Sequence, residues 1–313
     1  MMRTRPGYGP DDPGHSLGLV LQLEEIRLIP QMIASGILLG GVYGCVAVGF
    51  SVITGVLKIF NFAHGAFIML GAYTTWLVTS RLGVDPFLGM PVAMAVLFLL
   101  GYLVQRYLIN RVIRAPLYMT LILTFGLDMV IVNAATLKWS GNLRSVVARY
   151  ASASLHVAGV SLPGIRVSAF VAALVLTALL FFLMDRTRVG KAINATRMDL
   201  DAAKLVGVDS AKVYAITFGI GTAMAGAAGC LISMLSAISP SMGSTFSSKA
   251  FAICVLGGFG HMAGALAGGI IMGLLETVAA VAVGPGYQEA VAFAVLVLVL
   301  VLRPKGLLGR EYY

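Results

Sequence analysis

Six stretches of this chain contain no Lys, Arg, Asp or Glu at all: residues 28–57, 59–80, 86–105, 167–184, 213–248 and 250–275. A helix needs about 20 mostly apolar residues to cross roughly 30 Å of hydrocarbon. Ordinary globular domains carry about a quarter charged residues, whereas only 11% of these 313 residues are charged and 59% are hydrophobic. The apolar runs are continuous rather than alternating, which argues against a transmembrane β-barrel. The expected fold class is an all-α polytopic membrane protein with about eight to nine transmembrane helices, the later ones broken, in one domain over residues 28–309.

Residues 1–27 hold Arg3, Arg5, Asp11, Asp12 and three prolines, and lack the apolar core and small-residue cleavage site of a secretory signal. They read as a polar tail, with an interfacial lead-in at 17–23; residues 310–313 read as a C-terminal tail. Cys45, Cys230 and Cys254 sit inside apolar segments without pairing or ligand spacing, so they are packing residues and no metal site is expected. The net charge of +9 comes mostly from loops. It fits orientation and contact with anionic membrane lipid, not nucleic acid.

One loop breaks the pattern. Residues 185–212 carry Arg186, Arg188, Lys191, Arg197, Lys204 and Lys212 against Asp185, Asp199, Asp201 and Asp209. Basic residues collect on the cytoplasmic side. With this loop inside, counting by helices puts Lys58, Arg106, Arg111, Arg114, Arg303, Lys305 and Arg310 inside as well. The same count puts 139–166, Trp76 and the N-terminus outside.

Within the loop, Thr196 to Asp199 fits a capping box, with Thr196 as N-cap and Asp199 reaching back. Asp199 and Asp201 then favour the positive end of the helix dipole, and Gly207 is placed to end the helix in a left-handed conformation. Met198, Ala202, Leu205 and Val206 form an apolar stripe at helical spacing. From the residues alone, that stripe lies either on the parent membrane domain or in a groove of a partner.

Glycines supply a second message. Gly36, Gly40 and Gly44 repeat at four-residue spacing, as do Gly260, Gly264 and Gly268, with Gly269 and Gly273 extending the second set. Such faces let helices approach closely in lipid; they read as tight packing, with an internal repeat as the alternative. Gly257-Gly258-Phe259-Gly260 is expected to interrupt a helix.

Asp201-Ala202-Ala203-Lys204-Leu205-Val206-Gly207 resembles the coupling-loop motif of bacterial ABC importer permeases, an acid followed by Ala-Ala, three residues and Gly. The downstream Pro-containing portion is absent. Ile59-Phe60-Asn61-Phe62-Ala63-His64-Gly65, Ile238-Ser239-Pro240-Ser241-Met242-Gly243, Lys249-Ala250-Phe251, Val255-Leu256-Gly257-Gly258-Phe259-Gly260 and Arg303-Pro304-Lys305-Gly306-Leu307-Leu308-Gly309 look like LivH-type permeases of branched-chain amino-acid importers. The resemblance implies a heteromeric importer in a prokaryotic cytoplasmic (inner) membrane. Its partners would be a second permease subunit, two ABC ATPases and an extracytoplasmic substrate-binding protein. No G-x-x-x-x-G-K-[ST] run occurs here, so no cofactor is expected in this chain; ATP and Mg would be bound by the partner ATPases. The resemblance makes Thr196, Met198, Asp199, Asp201, Ala202, Ala203, Leu205, Val206 and Gly207 the coupling element. The chain itself is expected to be a transport subunit, not an enzyme.

Polar residues inside spans need a reason, since an acid at a helix centre costs about 2.5–3.5 kcal/mol on insertion scales. Asp128 falls mid-helix within 116–137. Relatives commonly carry an acid after His-Gly, where this chain has Ala66, so Asp128 is read as its replacement in the same polar region, against a plain interhelical hydrogen bond. Asn61 reads as an N-cap, with His64 capping or bonding a neighbouring helix; direct solute contact is the alternative for both. Glu276 is expected to pair with Arg or backbone donors, His261 to sit in the glycine break facing solvent, and Glu289 to anchor the last span. Two other classes compete with the importer. A proton-coupled secondary transporter would use Asp128, Glu276 and His64 as a relay but leaves the capped cytoplasmic helix unexplained. An intramembrane hydrolase built on Ser35 and a histidine lacks paired spacing. Within the importer architecture, another small solute (a polar amino acid, urea or an amide) stays open.

Overall fold

The computed structural model describes residues 13–113, 115–146, 148, 154–157, 160–303 and 306, with the backbone alone for 13–28, 156 and 157. Its helices are α1 (Pro13–Leu57), α2 (His64–Leu82), α3 (Pro86–Val112, with a π-helical turn at Gln105–Ile109) and α4 (Leu117–Trp139). They continue with α5 (Gly164–Arg186), α6 (Arg188–Met198), α7 (Leu200–Leu205), α8 (Ser210–Leu235), α9 (Met242–Gly257), α10 (Met262–Ala282) and α11 (Gln288–Leu302). A hairpin of β1 (Ser154–Val157) and β2 (Val160–Pro163) precedes α5. Among the described residues six helices are long and apolar enough to cross a membrane: α1 from Ile29, α3, α4, α5, α8 and α10. With α2, α9 and α11 the described residues of the membrane domain hold nine helical segments. The expected all-α polytopic class holds, and the expected eight to nine transmembrane helices fit roughly, six of the nine segments being long and apolar enough to cross. α1 starts at Pro13, so the lead-in at 17–23 is continuous with the first span, and the backbone has no break at 27/28.

α1 and α8 are the two core helices. They run antiparallel: Leu57 shares a cavity wall with Ser210 and Tyr214, while Leu39 shares another with Leu235. Glycine decides how closely the helices pack. A Cβ at Gly40 would lie 2.6 Å from the Ile270 Cα, and one at Gly36 2.9 Å from the Leu274 Cα. Gly269 and Gly273 come equally close to the α1 backbone, so this face admits only glycine. Gly264 and Gly268 instead meet Gly257 and Ile253 of α9, and Gly260 meets Gly55. Gly36, Gly40 and Gly44 thus lie in close contact with Gly269, Gly273 and the Leu266, Ile270 and Leu274 beside them, and Gly264 and Gly268 with α9, whereas Gly260 lies in the non-helical break before α10.

The same sequence of elements occurs twice in opposite directions. α1 leads through non-helical residues 58–63 into α2 and α3; α8 leads through 236–241 into α9 and α10. α10 lies against α1 as α3 lies against α8. Each intervening segment turns back into the bundle. His64 Nε2 sits 3.2 Å from the Val46 carbonyl, and Val46 is about 16 Å of helix rise from the end of α1. Ile238 bridges to Arg144 at the opposite end, yet four residues later α9 begins beside α2, with Gly65 and Gly243 in backbone contact. Non-helical backbone survives at this depth because it is enclosed by protein. The alternative reading of the glycine faces, an internal repeat, is thus visible in the architecture, and the structure adds that its two copies are inverted.

The ends differ in chemistry. Lys58, Arg111, the 185–212 loop and Arg303 share one end, as the charge count expects. Arg114, Lys305 and Arg310 lie outside the described residues, as do tail residues 1–12 and 310–313. Trp76 and Trp139 mark the other end: the Arg144 guanidinium lies 4.1 Å from the Trp76 ring centroid, and Trp139 stacks on Tyr73 at 4.5 Å. The glycine break is confirmed: α9 ends at Gly257, and Gly258 and Gly260 take φ of 95° and 73° before α10 begins.

Candidate functional site

Three polar constellations stand out. The first is the short helix α7 at the charged end. Asp199, not Thr196, is its N-cap: the Asp199 carboxylate accepts from the amides of Asp201 and Ala202 at 2.9 and 3.0 Å. Thr196 lies inside α6, buried, its hydroxyl donating to the Ala192 carbonyl. The capping box expected at Thr196–Asp199 is therefore corrected. Helix α6, invisible in the hydrophobic pattern, ends at Met198, and its own N-cap is Thr187, which accepts from the Gly190 amide at 3.0 Å. At the other end Gly207 adopts φ 85°, with Gly207 donating to Lys204 and Val208 to Ala203, both at 3.0 Å. That pair of bonds is a Schellman ending, as the glycine's position predicts.

α7 is held from below and bare above. Arg197 donates to the Gly260 carbonyl at 3.0 Å, and Asn194 to Met184 at 3.1 Å, fastening α6 to the spans. Ala203 is buried, but Met198, Leu205 and Val206 are 86%, 90% and 78% exposed, and Ala202 is exposed too. Asp201 pairs with Lys204 at 2.8 Å, which holds its carboxyl below the ordinary value of 3.8. The apolar stripe is not laid on the chain's own spans.

The second constellation is a buried ion cluster that charge counting did not reveal. Lys249 of α9 places Nζ 2.9 Å from Oε1 of Glu276 and 3.1 Å from Glu289. Tyr43 donates to Glu276 Oε2 at 2.8 Å and accepts from Lys249 at 3.0 Å. Lys249 and Glu276 are buried. Glu276 thus pairs with a lysine and a tyrosine, rather than with Arg or backbone donors, and the half-exposed Glu289 joins from the start of α11. A signal for this cluster existed: Lys249 is the only charge between residues 213 and 275, and Glu276 follows immediately.

The third is a cavity of about 390 Å³ walled by α1, segment 58–63, α4, α9 and α11. Asn61, Asp128, Ser244, Ser247 and Ser248 bring its polar groups, and six phenylalanines its apolar surface. Thr124 and Ser247 clip the re-entrant segment: Thr124 donates to the Phe60 carbonyl at 3.2 Å and Ser247 to Phe62 at 3.0 Å. Asn61 does not cap α2; the residue before that helix is Ala63, without a side-chain cap. Instead both polar atoms of the fully buried Asn61 amide lack a protein partner, a state that costs about 1–3 kcal/mol. His64 does bond a neighbouring helix, through Val46. Asp128 is half-buried and shares the cavity wall with Asn61, whereas Ala66 is packed in the interior. Asp128 makes no hydrogen bond to a Ser or Thr among the described residues. His261 is partly exposed at the N-terminus of α10, without a capping bond.

Comparison with known proteins agrees with this architecture. Residues 32–300 match the family model described as branched-chain amino acid transport system / permease component. The permease protein BraD of the high-affinity branched-chain amino acid transport system of Pseudomonas aeruginosa is 31% identical over 301 residues, covering 92% of this chain and 98% of that protein. LivH of Escherichia coli K12, named likewise, is 30% identical over 92% of this chain and 97% of its own length. A probable LivH of Methanocaldococcus jannaschii is 29% identical over 80% of this chain and 84% of its own. No solved structure matches the chain. With its core antiparallel pair, its glycine-only contacts and its bare helix at the charged end, this multi-pass membrane protein belongs to the branched-chain amino acid transport system permease family.

Proposed function

We propose that this chain is the permease subunit of an ATP-driven ABC importer in a prokaryotic cytoplasmic membrane, forming half of the path for branched-chain or related amino acids. A second, homologous permease would complete the path, two ATPases would bind ATP and Mg and drive it, and an extracytoplasmic binding protein would deliver the solute. The observation that carries this reading is α7. A six-residue helix cannot stabilise itself in water, yet this one is capped at both ends and fastened through α6, and it presents Leu205 and its C-cap Val206 almost fully to solvent beside Met198, the last residue of α6. Such a stripe supports seating in a groove of another chain. The relatives' names support amino acids as cargo. A second reading, the same architecture carrying another small solute, is supported by the likeness to the xylose transport system permease protein XylH of Escherichia coli K12, 37% identical over 113 residues, 33% of this chain and 29% of that protein.

The test is site-directed cross-linking in membranes holding the co-expressed complex. A bifunctional thiol reagent at Leu205→Cys is expected to join this chain to the ATPase subunit, and at Leu82→Cys, at the far end, to leave it free. Cross-links only within the chain would refute the coupling role.

A further inference from the structure

The midway cavity combines features that the coupling reading does not use. Helix α9 brings Ser244 of its first turn to the wall, its start packs on that of α2 through Gly243 and Gly65, and neither helix is capped by a side chain. The first amides of a helix have no intrahelical partner and carry the positive end of its dipole. Two such ends meeting deep in a membrane domain favour a negative group, and sites of this kind lie where discontinuous helices of inverted repeats meet. Independently, the Asn61 amide is fully buried in the cavity wall with neither polar atom paired. Its Nδ2 is a spare donor for an oxyanion. An acid faces the same space: Asp128 is one helical turn beyond Thr124, on the same face of α4, and Thr124 touches the re-entrant segment that carries Asn61. Ser244 spends its hydroxyl hydrogen on Ser241, leaving oxygen lone pairs for a donor. Around these groups the wall is phenylalanine, Phe60 and Phe251 among them. At about 390 Å³ the space lies at the small end of ligand pockets, roughly 300–1,000 Å³.

We infer that this cavity is a transit site for the zwitterionic head of an α-amino acid. Asn61 and the first turn of α9 take the carboxylate, Asp128 and the Ser244 hydroxyl oxygen take the ammonium, and the phenylalanines take an apolar side chain. The inference rests on the importer reading and adds that the permease itself recognises the head group rather than passing whatever the binding protein releases.

The experiment uses the full complex in nanodiscs, with Ser248→Cys, an exposed residue of the cavity wall, as a reporter labelled by a water-soluble maleimide. Leucine at millimolar concentration is expected to slow labelling. 4-Methylpentanoate, which lacks the amine, and isopentylamine, which lacks the carboxylate, are expected not to. Asp128→Asn and, separately, Asn61→Ala are expected to weaken leucine protection about ten- to a hundred-fold, the loss of one charge-assisted hydrogen bond. Equal protection by all three compounds would overturn the inference in favour of an unselective apolar space. So would no protection by leucine in a complex that still imports it, an outcome that leaves the importer reading standing. ATP-dependent leucine uptake by the unmodified complex, measured alongside, tests that reading separately. Because two variants on different elements report, misfolding of one does not remove the test.

Discussion

Removing Lys249 is the most informative single change in the membrane domain. Its ammonium lies 2.9 Å from Glu276 and 3.1 Å from Glu289, and it is only 5% exposed in its side chain. With an effective dielectric of about 20, a unit pair at 2.9 Å attracts by roughly 6 kcal/mol, set against a desolvation penalty of several kcal/mol for each ion. The pair therefore contributes little net stability, but breaking it strands a charge. Lys249→Met leaves the Glu276 carboxylate, 2% exposed, with Tyr43 alone, an expected loss of about 3–5 kcal/mol. Glu289→Gln removes a partner that is 48% exposed, so screening limits its effect to about 0–1 kcal/mol. Glu276→Gln falls between, because Lys249 keeps Glu289. The double variant Lys249→Met/Glu276→Met is expected to regain part of the loss, since no charge is left stranded, while the buried Tyr43 hydroxyl, now without both partners, keeps a cost of about 1–3 kcal/mol. Thermal unfolding of the detergent-solubilised protein reads these differences: at about 2–4 °C per kcal/mol, Lys249→Met shifts the midpoint down by roughly 6–20 °C. If Lys249→Met costs no more than Glu289→Gln, or the double variant loses the sum of its singles, the argument from a stranded charge is wrong.

Gly40→Ala puts a methyl 2.6 Å from the Ile270 Cα, so α1 and α10 must separate; a loss of about 1–3 kcal/mol in the same assay is expected, with no change for Gly141→Ala, whose Cβ meets open space. Gly207→Val meets no neighbour but must hold φ 85°, a local cost of about 1–2 kcal/mol. ATP hydrolysis by the complex is expected to uncouple from uptake while membrane insertion stays normal, and preserved uptake counts against α7 as the transmitting element. Asp199→Ala is expected to loosen α7 by about 1 kcal/mol, seen as faster amide exchange at Asp201 and Ala202. Thr196→Ala, which removes no cap, is expected to leave those amides unchanged.

Much of the plan is legible in the residues because membrane folding rests on a few strong rules. A charge in hydrocarbon is so costly that charge-free runs report spans, and the four-residue glycine spacing reports close helix contact. Gly207 was readable because a left-handed backbone position selects glycine. The capping box misled for a local reason: Thr196 and Asp199 have the right spacing for one helix start, but α6 runs through Thr196 and ends at Met198. Only the new turn, capped by Asp199, begins α7. Asn61 failed as a cap because residues 58–63 dive into the bundle, and α2 begins three residues after it, at His64, with no side-chain cap.

Sequence alone settled the solvent of each segment, since burial of charge and backbone in lipid is a cost paid residue by residue. The tertiary structure alone decided which residues from distant segments meet. Lys249 with Tyr43 and Gly65 with Gly243 are juxtapositions made by two antiparallel repeats closing on each other, Lys249 with Glu276 by the fold of the second repeat, and Asn61 with Asp128 by α4 lying against the first. No periodicity within one segment encodes them, because the forces that select them act only once the helices are packed.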